Sequence, residues 1–539
     1  MFNIELLKEC PDDIIFKILD HNFLAVHDIY NFLFYKSTHD VAQQVLNKRS
    51  LIHLTIGKRK NCESVITSSH DYEITKGPYF WHIYYNYANK DLFLSWYDRH
   101  KYIQNYVVQI FLDQFQFESL QFLQILKYKK IKIYLNYESD FNHTVRKFTH
   151  IIWPMIGEIF DLSNNFVNLI LEYESSIDQN LTIDLSNLNQ FEFRHYTPTY
   201  RSIEFKVNDK LQELKINNIS MLPITIKLSS IPLNITQFLC NGPIANLVYL
   251  GHFLTKCPNL QKLSISKAHL SNFPDFIDII SPMGLPRLAW LDLSNNEFGN
   301  IEDLDLSTIF PNLSTFIMKF EQLKTHRFRF SDITFPDTLT SLILHDKGIS
   351  KFTNIEGIKF LKYLDLSYNY PQDFEIPQRV SHITTLNLSY NRTILSSIYR
   401  FNRRDISNYI FFHVTELHLQ GCNITNEDLE HLEADYQHSK HLPKSCVEYL
   451  DLSNNKLSNL RSFSGKLFTN LPLKYLDLSF NAFTYLNKDI FPITRQIYPN
   501  LSKVNLTGNA RLHNITLSND YPELELMYTP FERTKPTNC

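Results

Sequence analysis

Apolar residues recur along this chain at positions one, four and six of a nine-residue block. LAWLDLSNN begins at Leu288, LKYLDLSYN at Leu361, VEYLDLSNN at Val447 and LKYLDLSFN at Leu473. Looser copies open at Leu211, Ile235, Leu260, Leu313, Leu339, Ile383, Val414 and Leu501, with spacings from 22 residues (Leu339 to Leu361) to 33 (Val414 to Val447). The period-two alternation at positions four and six predicts a short strand with those side chains facing a core. A block of this length cannot bury its apolar edge alone, so the copies must stack on one another. Asn296, Asn369, Asn391, Asn455, Asn481 and Asn509 hold position nine. An amide there can satisfy backbone groups that stacking would otherwise bury unpaired. Cys422 stands in that place once and is read as a buried thiol doing the same work more weakly.

The block L-x-x-L-x-L-x-x-N resembles the core of the leucine-rich repeat. The resemblance implies an α/β repeat fold, a horseshoe solenoid with parallel strands on its concave face. Leu188-Phe191-Phe193 and Phe166-Leu169-Leu171 keep the spacing, with positions one, four and six in that order, and take the array back to near residue 160 or earlier. The expected organisation is a solenoid over 161–525, an aromatic-rich connecting or capping region over 51–160, and a short tail over 526–539. In the oversized repeat after Cys422, Asn426 is the expected N-cap of a helix, with Glu427 and Asp428 in its first turn.

The first fifty residues follow another rule. CPDDIIFKILD puts Pro11 at a first helical position, with Ile14, Ile15, Ile18 and Leu19 at helical spacing. Asp28 can cap a second helix carrying Ile29, and Thr38 a third carrying Val41, Ala42, Val45 and Leu46. Three short amphipathic helices bury little alone and need a neighbour. Pro11, Asp13, Ile14, Ile18 and Leu19, followed by Asp28-Ile29, resemble an F-box. Cys10 stands where that pattern has Leu, and its Trp has no counterpart. The whole chain is similar to F-box/leucine-rich-repeat proteins of a fungal or protist type. That resemblance implies an F-box-like helical domain over 1–50 in which Pro11, Asp13, Ile14, Ile18, Leu19 and Ile29 dock a Skp-type adaptor of a cullin-RING ubiquitin ligase. The solenoid would then hold a protein substrate. The alternative is a scaffold solenoid with a helical N-terminal cap and no ligase connection.

Composition narrows the partners. Formal net charge is -3, from 53 basic and 56 acidic residues, so no bulk field favours nucleic acid or an acidic membrane. No apolar run of transmembrane length is present, and charges at Glu5, Lys8 and Glu9 interrupt any leader; a cytoplasmic or nuclear location is expected. Eleven N-x-S/T sequons, among them Asn312, Asn391 and Asn505, are read as products of an Asn-rich chain. Seven scattered cysteines form no C-x-x-C pair, and no phosphate-binding glycine motif occurs, so no cofactor is expected.

No catalytic or metal residue is assigned, and the chain is not expected to be an enzyme. His431, His438 and His441 lack metal-ligand spacing, and the recurring Asp-Leu-Ser tripeptides read as repeat consensus. Positions two, three, five, seven and eight are expected to point outward. That places Trp290, Tyr363, Tyr368, Tyr390, Tyr449, Tyr475 and Phe480 in an aromatic band for a protein partner, with Phe320 beside it. Aromatics carry much of the energy of protein interfaces. The competing reading has position eight packing within the stack. Asp292, Asp365, Asp451 and Asp477 flank the band and favour a basic partner surface.

Overall fold

The computed structural model describes residues 33, 39–56, 74–77, 80–86, 90–111, 122–137, 166–171, 180–186, 188–195, 202–207, 209–219, 223–228, 234–245, 247–271, 273–280, 284–298, 301–319, 328–345, 349–353, 358–369, 373–374, 383–392, 414–437, 445–486, 493–512, 514–515 and 524–528. The chain divides into two compact units, Met1–Leu260 and Gln261–Cys539. Each is built on a ladder of parallel strands.

In the first unit a helix, His39–Arg49, runs directly into the strand Ser50–Ile56. Its Val41, Ala42, Val45 and Leu46 are buried, as their helical spacing requires. The Asn47 side chain accepts from the Gln104 amide at 2.7 Å, and its carbonyl accepts from Asn105 Nδ2 at 3.0 Å. The ladder then runs from Phe80–Asn86 through Ser50–Ile56, Asn105–Phe111, Lys130–Tyr137, Phe166–Leu171, Gln190–His195 and Glu213–Asn218 to Gln237–Asn241, all parallel. Ile74–Gly77 pairs antiparallel with Phe80–Asn86. A second parallel sheet, Asn180–Asp184, Ser202–Lys206 and Thr225–Leu228, gives these repeats a strand in each of two sheets. Phe205 from this sheet meets Phe191 and Phe193 of the first edge-on, both at 5.9 Å.

One register differs from the sequence reading. Phe166 pairs with Gln190, so Val167 and Leu169 occupy positions four and six, where the spacing had placed Leu169 and Leu171. A two-residue slide keeps the same side chains on the same face, so alternation alone cannot detect it.

The second unit carries the clearest repeats. Its ladder links Lys262–Ser266, Trp290–Asp292, Thr315–Ile317, Ser341–Ile343, Tyr363–Asp365, Thr385–Asn387, Glu416–His418, Tyr449–Asp451, Tyr475–Asp477, Lys503–Asn505 and Glu525–Met527 in strict parallel register. Position four is a continuous buried row: Leu291, Phe316, Leu342, Leu364, Leu386, Leu417, Leu450, Leu476 and Val504. Each such side chain contributes roughly 1.5–3 kcal/mol by leaving water. Away from the strands, the chain closes each repeat variously. Phe273–Ile280 and Asn426–Gln437 are helices, while Ile301–Asp305, Phe328–Thr334, Ile349–Thr353 and Asp373–Phe374 form a second parallel sheet.

The position-nine asparagines tie repeat to repeat. Asn391 Nδ2 donates to the position-six carbonyls of its own repeat (Leu388, 2.7 Å) and of the preceding one (Leu366, 2.9 Å), while Oδ1 accepts from the Asn369 amide at 2.8 Å. Asn369, Asn455, Asn481 and Asn509 repeat the double donation, and Asn296 bonds Leu293 and Ile265 likewise. Cys422 is buried and donates chiefly to Leu388, at 3.2 Å, with a longer contact to the Gln420 carbonyl at 3.6 Å. Burial pushes its thiol up to about 12, which holds it in the donor form.

The helix after Cys422 is present, but its cap is Thr425. Thr425 Oγ1 accepts from the Asp428 amide and the Asp428 carboxylate accepts back from the Thr425 amide, a reciprocal capping box. Asn426 serves the next repeat, its Oδ1 accepting from the Ser458 and Asn459 amides.

Candidate functional site

The strand face of the second unit gathers the residues that sequence singled out. Position-three residues stand in one line, because each strand pairs with the next without slip: Lys262, Trp290, Thr315, Ser341, Tyr363, Thr385, Glu416, Tyr449, Tyr475 and Lys503. Neighbouring strands lie about 4.8 Å apart, which is close to aromatic stacking distance. Tyr449 and Tyr475 stack at 4.7 Å with rings 5° from parallel, and His418 leans on Tyr449 at 5.1 Å. At the other end of the row the Lys262 ammonium sits 4.3 Å from the Trp290 ring centre.

Position five supplies the polar partners. Asp477 Oδ2 accepts from the Tyr475 hydroxyl at 3.1 Å and from Asn505 Nδ2 at 2.8 Å. His418 Nδ1 lies 3.6 Å from Asp451 Oδ2. Burial works against the Asp451 charge, yet hydrogen bonds from His418 and Ser453 outweigh it and hold the carboxyl below its ordinary range. The tyrosines shift the other way. Burial first, then the Asp477 charge, pushes the Tyr475 phenol up to about 12. Tyr449 and Tyr363 are raised by the same causes, burial foremost and then their own position-five aspartates.

The Asp-Leu-Ser tripeptides have a structural task. In each, the Asp Oδ1 accepts from the Ser amide two residues on, at 2.9 Å for Asp292, Asp365, Asp451 and Asp477, turning the chain out of the strand. Position seven was expected to face outward; Ser294, Ser367, Ser389, Ser453 and Ser479 are instead buried. The turn folds the hydroxyl under the strand end, where Ser294, Ser367 and Ser479 also donate to that carboxylate.

Position eight adopts the left-handed conformation, with φ of 57° at Tyr368, 60° at Tyr390 and 53° at Phe480. Their rings therefore lie along the ladder. Tyr368 stacks on Tyr390 at 4.2 Å and 18°, and Tyr390 lies over Gly421. The Tyr390 hydroxyl accepts from Asn454 Nδ2 at 3.3 Å, one repeat beyond that glycine. Phe480 covers Gly508 in the same way, yet stays 61% exposed. Trp290, Tyr363, Tyr449 and Tyr475 thus form the line on the strand face, while Tyr368, Tyr390 and Phe480 edge it and pack within the stack. Glu416 and His418 join this site without having been singled out; their signal was their place at positions three and five after Val414. Pro11, Asp13, Ile14, Ile18, Leu19 and Ile29 lie outside the described residues, as do Phe320, His438 and His441. Among the described residues no group of His, Cys, Asp or Glu is arranged to hold a metal ion, and no helix is long and apolar enough to cross a membrane.

Two family models match, each described as a leucine-rich repeat, over residues 412–432 and 446–467. These are the repeats carrying Glu416, His418, Tyr449 and Asp451. Lumican of Gallus gallus is 27% identical over 224 aligned residues, covering 33% of this chain. The match spans 63% of lumican's length. Among solved structures, an internalin from Listeria monocytogenes is 14% identical with a TM-score of 0.29, covering 55% of this chain and 83% of its own. A leucine-rich-repeat protein from Leptospira interrogans is 17% identical with a TM-score of 0.36, covering 75% and 91%. The fold is a leucine-rich-repeat solenoid, and its repeats indicate a protein-interaction scaffold.

Proposed function

We propose that this scaffold holds a protein substrate on the strand face of its second unit and presents it to a ubiquitin ligase, residues 1–50 docking a Skp-type adaptor. The observation that supports substrate holding is the in-register line of half-buried tyrosines at position three, with Tyr449 and Tyr475 stacked towards its C-terminal end. A preordered aromatic surface loses little freedom on binding, which favours affinity. The ligase connection rests on the F-box resemblance of Pro11, Asp13, Ile14, Ile18, Leu19 and Ile29.

One observation favours the second reading, a scaffold whose helical N-terminus only caps the ladder. The helix His39–Arg49, the third that the sequence leads one to expect in the F-box-like stretch, buries its apolar side and is bonded through Asn47 to the start of the Asn105 strand. Co-purification decides between them. Under the ligase reading, the full chain retains a Skp-type adaptor and the Pro11→Asp, Ile14→Asp variant loses it, because a charge in an apolar contact costs several kcal/mol. Tyr449→Ala with Tyr475→Ala should keep the adaptor and lose the substrate. A wild-type chain that retains no adaptor, or retention indifferent to the Asp substitutions, leaves the capping reading standing.

A further inference from the structure

We infer that the strand face between Tyr363 and Tyr475 is built to take an extended protein segment bearing arginine or lysine side chains. The inference deepens the scaffold reading above and rests on it. Its first ground is the charge pattern of the face. At positions three and five of the five repeats from Tyr363 to Asp477 stand Asp365, Glu416, Asp451 and Asp477, and neither Lys nor Arg. His418 is the sole basic type among those positions, and it is already beside Asp451. Of the lysines nearest these positions, Lys474 at position two pairs with Glu448 (2.7 Å) and Lys503 with Glu525 (3.0 Å), while Lys362, at position two beside Tyr363, is exposed.

The second ground is what stands between the carboxylates. The Tyr449–Tyr475 pair presents a flat, half-buried aromatic edge, and the aspartates flank it one strand step apart. A guanidinium or an ammonium with its aliphatic stem suits that combination, the stem covering the rings and the charge reaching a carboxylate. The same ladder makes such a contact internally, where neighbouring position-three residues set Lys262 against the Trp290 ring. Burial foremost, and then the neighbouring carboxylates, raise the phenols of Tyr363, Tyr449 and Tyr475. Phosphate-bearing polymers would meet like charge here, which leaves a basic protein segment as the occupant.

The fold supplies a clean test. Position five tolerates a neutral amide, since Asn387 and Asn505 receive the Ser389 and Thr507 amides at 3.0 and 3.1 Å as the aspartates do elsewhere. Glu416→Gln, Asp451→Asn and Asp477→Asn together therefore remove three charges while keeping the turns. The full chain is titrated by fluorescence anisotropy with three pools of labelled decapeptides, degenerate except for a central Arg-x-Arg, Glu-x-Glu or Leu-x-Leu. Wild type should bind the Arg pool about tenfold or more tightly than the others, and the triple variant should lose that preference. Raising salt from about 0.05 to about 0.5 M should weaken the Arg pool selectively by screening. Equal binding of the pools, no binding of any, or an Arg preference that survives the triple substitution overturns the inference. A Leu preference abolished by Tyr449→Ala with Tyr475→Ala would also overturn it, while leaving the scaffold reading intact.

Discussion

Cys422→Asn should stabilise the protein, and the size of the gain follows from its neighbours. Wherever Asn holds position nine, its two amide protons go to two position-six carbonyls, and a carbonyl between two such residues receives two bonds. Leu366 accepts from Asn369 and Asn391, Leu452 from Asn455 and Asn481. Leu419 accepts from Asn455 alone, because the single Cys422 proton goes to Leu388. Cysteine and asparagine are close in volume, so the amide can enter without displacing the buried wall. The exchange adds one N–H bond to Leu419 and replaces a weak S–H donor to Leu388. At about 0.5–1.5 kcal/mol per net hydrogen bond, the expected gain is roughly 1–2 kcal/mol. The converse, Asn391→Cys, should lose a similar amount or more, since the buried Asn369 amide then loses its Asn391 Oδ1 acceptor. Urea denaturation measures both, as a shift in midpoint at constant slope. If Cys422→Asn destabilises more than Cys422→Ala, the pocket is shaped for sulfur and the equivalence of position-nine residues is wrong.

The phenol shifts predict alkaline behaviour. A tyrosine whose folded pKa is raised holds its full stabilising contribution below pH 10 and loses it as pH climbs towards the folded value, about 12 for Tyr475. Stability should therefore fall across pH 10–12, and Tyr475→Phe should flatten that fall; an unchanged slope in denaturation midpoints would contradict the assignment. Gly421→Ala should destabilise by roughly 1–3 kcal/mol, through its positive φ and a Cβ that would come 2.5 Å from the Tyr390 ring carbons. In a double-mutant cycle with Tyr390→Ala the two losses should fall short of additive, and full additivity would separate ring from glycine.

The parts of this fold legible in sequence are those written in side-chain periodicity. Leu291, Leu364, Leu450 and Leu476 were placed in one core row by spacing alone, and they form it. Register in the Phe166 strand was misread because sliding by two preserves the alternation. Asn426 lost the cap to Thr425 because both are good caps, and the deciding partner, Asp428, lies three residues from one and two from the other. Position seven was taken as outward on strand geometry, but the strands end at position five and the Asp-Ser turn carries the serine inward. The site itself was half visible. Tyr449 and Tyr475 declared themselves by identity, whereas Glu416 and His418 became part of it through alignment with neighbours some thirty residues away.

The position-nine amide also settles what can be attached to it. Asn391, followed by Arg392 and Thr393, forms a sequon, and the nitrogen that would carry sugar is Nδ2. In the folded repeat that nitrogen gives its protons to Leu366 and Leu388, and the residue is fully buried. A glycan there and the closed stack exclude each other. Modification at Asn391 would therefore precede folding and prevent these repeats from closing, so a sugar at this site would record a chain that had not assembled.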